Sequence, residues 1–266
     1  MIELDNELVR KIVVSGKRLD NRKFDEYRKI EIEKDVVTSA EGSARVRLGD
    51  TEVIAGIKID IGRPFPDTPD TGVLIVNAEF LPLASPDFES GPPGEKAIGL
   101  SRTVDRTIRE SKAIDFKKLC IKPLTSEEEG KVWMVFIDVD VLNHDGNLVD
   151  AASIAAAAAL MSAKIPDLDK DEKPIYDKKG SKSLPMTAKP MATTFVKIND
   201  AILSDPDLQE EAAADARITI GTVDLKGKTM LCAMQKGGEK GFTVPELEQI
   251  IDDSVKKGNE LRKHLK

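Results

Sequence analysis

The run LNHDGNLVDAASIAAAAAL, residues 142–160, constrains the fold more than any other part of the sequence. Apolar residues lead into Asp-Gly-Asn at 145–147, which has the composition of a tight turn, and an alanine-rich segment follows at once. A strand, a glycine turn and a helix N-terminus form a backbone geometry that proteins use to hold phosphate. The turn is followed, however, by Leu148 and Val149, where a phosphate site needs a hydroxyl and a cation, and by Asp150, which would repel phosphate. The sequence therefore predicts the backbone of an anion site without its side chains.

The remaining apolar patterns indicate strands and a few helices. Alternating or near-continuous apolar runs predict strands at about 28–37, 44–48, 51–59, 73–83, 132–142, 191–198, 217–223 and 230–234. Helical spacing predicts an N-terminal helix at about 3–14, a helix at 95–111, the alanine-rich helix, and a C-terminal helix at about 244–264. This order predicts an α+β fold in which mixed β-sheets pack against helices, in a single domain over residues 1–266.

Composition limits the kinds of protein this chain can be. Of its 266 residues, 40% are hydrophobic and 33% are charged, which is typical of a globular protein. No apolar run approaches the roughly 20 residues that cross a bilayer, and the charged N-terminus lacks a signal-peptide core. Cys120 and Cys232 show no metal-ligand spacing, so we expect a cytoplasmic protein without a zinc site, another metal or a cofactor. The net charge of −7 means that any nucleic acid would be bound by a local patch or together with a basic partner.

Three arginines form the most prominent basic pattern. Arg102, Arg106 and Arg109 are spaced by four and three residues, which places them on one face of the predicted helix. The planar guanidinium donates paired hydrogen bonds that suit phosphate oxygens. The alternative is a solvated helix face on which Asp105 and Glu110 serve as ion-pair partners.

An acidic cluster follows the strand at 191–198. Its members are Asp205, Asp207, Glu210, Glu211 and Asp215. Paired carboxylates can bind a metal or act as general acid and base. Acidic residues are also common in the first turn of a helix, where they interact favourably with the helix dipole, and the spacing favours this second interpretation.

Taken in order, these segments resemble the RNase PH family over essentially the whole chain. The segments that carry the resemblance are RLDNR at 18–22, GSARVRLGDTEVIA at 42–55, GLSRTVDRTIRES at 99–111, the strand, turn and helix at 136–160, and DLQEEAAADARITI at 207–220. The resemblance implies a phosphorolytic 3′-to-5′ exoribonuclease or an inactive relative, in which six such domains form a ring around a channel for single-stranded RNA. Active members hold phosphate with a Ser/Thr-Arg pair in the turn before the alanine-rich helix, and carry late aspartates that bind metal or act as general acid.

The sequence departs from the active pattern at both places. The hydroxyl and the arginine of the turn fall at Leu148 and Val149, and the Glu-Glu-Asp of the late segment ends in Ala212. Asp205 and Asp215 remain. Loss of one group that stabilises transition-state charge costs ~10²–10³ in rate, so loss of the phosphate clamp as well predicts an inactive protein.

Within the family the chain is most similar to the non-catalytic ring subunits of the archaeal exosome. That resemblance implies alternation with a catalytic RNase PH-like subunit, three of each in a hetero-hexamer, with RNA-binding cap proteins on the ring. It also implies support of the partner's active site and contact with single-stranded RNA through Arg102, Arg106, Arg109 and Arg63. Two alternatives remain open at this point: an active phosphorolytic exoribonuclease whose site residues lie elsewhere in the chain, and a scaffold that never touches RNA.

Overall fold

The computed structural model describes residues 5–125 and 129–265, and in these residues it has two large β-sheets, two small sheets of two strands each, and five α-helices. The helices are α1 (Asn6–Val14), α2 (Glu95–Glu110), α3 (Leu148–Ser162), α4 (Leu208–Ala213) and α5 (Val244–Arg262), with a 3₁₀ turn at Phe116–Leu119. The long strands are β1 (Ile30–Lys34), β2 (Gly42–Leu48), β3 (Thr51–Gly62), β4 (Val73–Phe80), β5 (Cys120–Lys122) and β6 (Lys131–Asn143) in the first half, and β11 (Met191–Ile198), β12 (Ala201–Ser204), β13 (Ala216–Leu225) and β14 (Lys228–Gly238) in the second. Between them lie four two-residue strands, β7 (Lys164–Ile165), β8 (Asp167–Leu168), β9 (Pro174–Ile175) and β10 (Lys182–Ser183).

The larger sheet carries the central strand that leads to the turn at 145–147. Its order is β1-β2-β3-β6-β4, with β5 also paired to β6. All of these pairs are antiparallel except β4 with β6, which is parallel. The alternating side chains of β2, β3 and β6 are buried on one face, as the sequence pattern predicts for a half-covered sheet.

Helix α3 is the centre of the core. Every residue from Leu148 to Leu160 is buried, and the helix packs on β2 and β3 of the larger sheet and on β11 of the smaller one. Its alanines permit this because a small side chain lets a strand approach closely. A Cβ atom at Gly42 of β2 would lie 2.5 Å from the carbonyl oxygen of Ala159, so the strand backbone rests directly on the helix. Helix α3 is thus held between the larger and the smaller sheet.

The smaller sheet has the order β12-β11-β13-β14, entirely antiparallel, and places β14 at an edge. Helix α5 packs on β11 and β13, where Phe195, Ile218, Ile220 and Ile250 form a second apolar cluster. Helix α2 packs against β4 and also contacts β14. It therefore bridges the two sheets beside the start of α3.

The structure confirms the α+β fold and most of the predicted elements. The N-terminal helix begins at Asn6, where Asp5 caps it, and the first residues of the predicted range lie outside the described residues. The C-terminal helix ends at Arg262 and begins with the predicted cap, in which the Thr243 side chain accepts from the amide of Glu246 and the Glu246 side chain accepts from the amide of Thr243. The single-domain organisation over residues 1–266 stays a prediction. In the described part of the chain no helix is long and apolar enough to cross a membrane.

Candidate nucleic-acid interface

A cleft of about 1040 Å³ lies between α2, the start of α3, α4 and the β13–β14 ladder. Leu148, Val149 and Ala212, the positions that depart from the active pattern, line it together with Arg102 and Arg106 of α2. The arginine face and the former phosphate turn lie so far apart in the chain that the sequence gives no signal of their proximity. The fold places them around one space, which we call the cleft.

The four candidate arginines divide into two that face the cleft and two that do not. Arg102 and Arg106 are exposed on α2, line the cleft, and form no ion pair among the described residues. Arg109 instead donates to Asp105 at 2.6 Å and to the carbonyl oxygen of Leu74 at 2.9 Å, so the solvated-face interpretation describes this residue.

Arg63 lies far from the cleft. It follows β3 and pairs with Glu129 at 2.7 Å, with both side chains largely exposed. Gly62 at the end of β3 pairs with Val132 at the start of β6, whereas His144 beyond the end of β6 lines the cleft. At about 3.3 Å per residue, the length of β6 separates Arg63 from His144 by roughly 40 Å, and from the level of Val76, a lining residue that pairs with Ile137 of β6, by roughly 17 Å. An RNA contact by Arg63 stays a prediction, and it would belong to a different surface.

The turn at 145–147 has the backbone of an anion site, but a carboxylate of the chain already uses it. Gly146 and Asn147 have left-handed backbone angles, with φ of 82° and 50°. The amide of Asn147 donates to Oε1 of Glu211 at 3.1 Å. Burial raises the pKa of Glu211 above its ordinary value, opposed by the charge of Arg217 and by this hydrogen bond. Because Leu148 and Val149 next to it offer only hydrocarbon, the turn has nothing to neutralise a bound phosphate.

Asp150 has a role that the sequence did not predict. Its side chain lies in the first turn of α3, is fully buried and does not line the cleft, so the repulsion of phosphate stays a prediction. Its carboxylate accepts from the Tyr27 hydroxyl at 2.7 Å, from the side-chain amide of Asn147 at 2.9 Å, and from both the amide and the hydroxyl of Thr194 at 3.0 and 2.7 Å. Asp150 thereby ties the start of α3 to β11 of the smaller sheet.

This burial predicts a measurable titration. Burial raises the pKa of Asp150 from 3.8 to about 6, and the donated hydrogen bonds oppose a larger rise. A folded-state pKa above the unfolded value means that folding takes up a proton. The contribution of Asp150 to stability is therefore greatest at acidic pH and is lost as the pH rises through about 6. We expect the Asp150 carboxyl carbon to titrate near pH 6 in a ¹³C NMR experiment, and a midpoint below 4 would contradict this account.

The acidic cluster is structural, with the exception of Glu211. Asp205 is fully buried and accepts from Arg28 at 2.8 Å, from Arg22 at 3.0 Å and from Asn147 at 2.7 Å. Burial by itself would raise the pKa of Asp205, but the hydrogen bonds and the charge of Arg28 hold that pKa below its ordinary value. Arg28 also donates to Asp145, so this ion-pair network holds the turn at 145–147.

The other acidic residues are paired too. Asp207 caps α4 in a reciprocal arrangement with Glu210, which confirms the interpretation as an acidic first helical turn. Glu210 also pairs with Arg18 at 2.5 Å, and Asp215 pairs with Arg10 at 2.9 Å and Lys240 at 3.1 Å. The two aspartates that remain from the active pattern are thus occupied by arginine and lysine, and among the described residues no group of three His, Cys, Asp or Glu side chains is arranged to hold a metal. These residues do not fit the metal of the active relatives.

The cleft also contains residues that the sequence analysis missed. Arg217 of β13, Lys236 of β14 and Lys96 at the start of α2 line it. A half-buried aromatic group also lines it: Phe88 packs on Phe80 with ring centroids 4.7 Å apart and stacks on His144 with centroids 5.3 Å apart. Arg217 is the one charged residue in the run ARITIGTV at 216–223, which was the available signal, and the structure leaves it exposed.

Fold and sequence together define the class of protein. Residues 26–166 match the 3′ exoribonuclease family, domain 1, and residues 189–257 match domain 2 of the same family, so the chain belongs to that family. Among individual relatives, it is 48% identical to the exosome complex component Rrp42 of Methanocella arvoryzae over 99% of this chain and 96% of that protein. It is 49% identical to the exosome complex component Rrp42 of Thermococcus gammatolerans over 96% of this chain and 91% of that one.

Solved structures agree. A chain of the Archaeoglobus fulgidus exosome with RNA bound to the active site superposes with a TM-score of 0.88 at 42% identity, covering 98% of this chain and 97% of that chain. A chain of an archaeal exosome core gives a TM-score of 0.82 at 39% identity, covering 98% and 95%. These similarities confirm the RNase PH-like fold that the resemblance implied.

Proposed function

We propose that this chain is a non-catalytic ring subunit of an archaeal exosome that supports 3′-to-5′ phosphorolytic RNA degradation by a partner and contacts single-stranded RNA. The observation that carries the proposal is the cleft itself. Leu148, Val149 and Ala212 replace the groups that would hold phosphate and carry the catalytic carboxylate, while Asp205 and Asp215 are occupied by ion pairs. Arg102 and Arg106 line the same cleft and form no ion pair within the part of the chain that the structure describes. This combination supports a subunit that contacts RNA but does not itself catalyse phosphorolysis.

The proposal includes an assembly in the cytoplasm in which three copies alternate with three catalytic RNase PH-like subunits and carry RNA-binding cap proteins. Support comes from the relatives, which are components of exosome complexes. The edge strand β14 offers a surface for such a partner, because it carries Met230, Leu231 and Met234 at 43–47% exposure. Co-expression with the catalytic chain and native mass measurement test this. A complex with three copies of each chain is expected, and a stable monomer in the presence of the partner would contradict it.

The RNA contact gives a specific prediction. In the assembled complex, Arg102→Glu with Arg106→Glu should weaken binding of oligo(A) by roughly tenfold to a hundredfold, because two charge-assisted contacts to phosphate are reversed. The slope of log affinity against log salt should also fall by about 2, one unit for each phosphate contact. Fluorescence anisotropy at several salt concentrations measures both quantities.

A matched control separates local contact from net charge. Lys256→Glu with Lys263→Glu makes the same change in charge on two exposed residues, one in α5 and one at its C-terminal cap, away from the cleft. This control should leave both the affinity and the salt slope nearly unchanged. Equal effects from the two double variants would show that net charge alone matters, and no effect from the α2 pair would favour a scaffold that does not touch RNA.

A further inference from the structure

One face of the larger sheet lies away from helices α2 and α3. Helix α3 packs on β2 and β3, helix α2 packs on β4, and residues of both helices belong to the apolar cluster that contains the fully buried side chains of these strands. Alternate residues of β3, β4 and β6 point the other way, because the side chains of a strand alternate between the two faces of its sheet. We call this side the outer face. Its apolar members Ile54, Ile75, Phe136 and Leu142 are only half-buried.

Three carboxylates lie next to one another on the outer face. Asp140 of β6 pairs with Glu79 of β4 in the parallel ladder, and Asp138 is the neighbouring outward residue of β6. Like charges at neighbouring positions of a sheet destabilise it. Burial raises the pKa of Asp140 above its ordinary value, and the charges of Glu79 and Asp138 raise it further. The fold therefore bears a local repulsion among these three carboxylates.

The described residues supply no cation to these carboxylates. Asp138 accepts a hydrogen bond from the side-chain amide of Asn77 at 3.0 Å, which is a neutral donor, and neither Glu79 nor Asp140 forms an ion pair in the described part of the chain. The cations at outward positions of β2 and β3 are already paired: Arg45 and Arg47 with Glu52, and Lys58 with Glu41. The outer face therefore presents three uncompensated negative charges beside apolar side chains.

The sheet leaves room for a side chain beside these carboxylates. Gly56 of β3 pairs with Asp138, and a Cβ atom at Gly56 would meet nothing within 4 Å. Ile54, the neighbouring outward residue of β3, pairs with Asp140. A long cationic side chain can place its methylene groups on such apolar surface and its charged end at a carboxylate. Lysine and arginine have this form.

The charge and the apolar residues together limit what can cover the outer face. Carboxylates repel nucleic acid, and a second copy that presented the same face would set carboxylate against carboxylate. Among the described residues no group of three His, Cys, Asp or Glu side chains is arranged to hold a metal, so a bound ion does not account for the three charges. A small soluble cation would leave the apolar side chains uncovered. A protein surface that carries lysine or arginine among apolar residues satisfies both features.

We propose that the outer face is a docking surface for a protein partner of this chain, whose lysine or arginine side chains lie over Gly56 and pair with Glu79, Asp138 and Asp140 while its apolar side chains cover Phe136 and its neighbours. The partner supplies the cations that the chain lacks, so docking relieves the repulsion as well as burying apolar surface. The inference does not depend on the proposed RNA contact of α2, and only its second test uses the proposed assembly.

The first test uses the full chain alone. Asp138→Asn with Asp140→Asn keeps the shape of both side chains and removes the repulsion, so the melting temperature should rise by roughly 2–4 °C. The control is Asp35→Asn with Glu172→Gln, which removes two carboxylates that each pair with a lysine, at 2.7 and 2.5 Å, and it should not raise the melting temperature. A melting temperature of the Asp138 and Asp140 variant no higher than that of the wild type would overturn the proposal, because the repulsion on which it rests would be absent.

The second test uses the complex obtained by co-expression with the catalytic RNase PH-like chain and the cap proteins. The Asp138 and Asp140 variant should raise the dissociation constant of the complex about tenfold, although it stabilises the isolated chain, and the control should leave this constant unchanged. With p-benzoylphenylalanine in place of Phe136, illumination should crosslink the chain to a partner segment that contains lysine or arginine, identified by mass spectrometry. An unchanged dissociation constant, or crosslinks only to RNA, to an acidic segment or to a second copy of the chain, would exclude the docking surface while the proposed function stands.

Discussion

Replacement of Asp205 by alanine should lower the free energy of unfolding by about 3–5 kcal/mol, because it leaves buried guanidinium groups without their counter-ion. The side chains of Arg22 and Arg28 are only 10% and 8% exposed, and both pair with Asp205. The side-chain amide of Asn147 also loses its acceptor at 2.7 Å. For a chain of this size the melting temperature should fall by roughly 10 °C. Urea unfolding and a thermal melt measure the two quantities.

The result separates a structural aspartate from a catalytic one. A carboxylate that is kept for metal binding is repelled by its neighbours, so its removal is tolerated or stabilises the fold. Asp25→Ala is the control. Asp25 is 71% exposed and its contact with Lys257 is long, at 3.7 Å, so this change should lower the free energy of unfolding by less than about 1 kcal/mol. Equal stability of the Asp205 variant and the wild type would show that the ion pairs of Asp205 with Arg22 and Arg28 do not stabilise the fold.

Gly146→Ala should destabilise the protein by about 3 kcal/mol, the sum of a left-handed backbone penalty and a steric clash. The φ of Gly146 is +82°, and a Cβ atom there would lie 2.4 Å from the carbonyl carbon of Asp207, which is backbone and cannot rotate away. The clash forces the turn away from the N-terminus of α4. Because Asn147 donates to Glu211 of that helix, the shift should also disturb the cleft.

Gly16 provides the matched control. Its φ is +81°, and no atom lies within 4 Å of the position that a Cβ would take. Gly16→Ala therefore carries only the backbone penalty, about 1 kcal/mol. The difference between the two variants, measured by urea unfolding, isolates the contact between the turn and α4. Equal losses for both would mean that this contact has no energetic weight.

The elements and the class of fold could be predicted from the sequence because their signals are local. The alanine-rich run of α3, the alternation in β2 and β3, and the Thr243 cap each depend on neighbours a few residues away. The short α4 was also foreseen as an acidic helical turn. The positions that depart from the active pattern were likewise visible, since motif spacing is a property of the chain alone.

The contacts between distant segments could not be predicted in this way. Asp150 looked like a group that faces phosphate, but Tyr27, more than a hundred residues earlier, holds it in the core. Arg28 gave no signal at all, yet it joins Asp205 to the turn through Asp145. Arg109 lies on the same predicted helix face as Arg102 but donates to Asp105 of its own helix and to the carbonyl oxygen of Leu74 in β4, and only the first of these contacts could be expected from the sequence. Each outcome depends on which strands become neighbours, and one sequence does not specify that.

The most direct test of the central claim is release of ADP from poly(A) by the purified chain in the presence of inorganic phosphate and Mg²⁺. We expect no phosphate-dependent release by the chain alone, because Leu148, Val149 and Ala212 can neither hold the attacking phosphate nor supply a carboxylate. Addition of the catalytic RNase PH-like partner should restore release, and the assembled complex should be active. Phosphate-dependent ADP release by the isolated chain, at constant specific activity across its size-exclusion peak, would contradict the account.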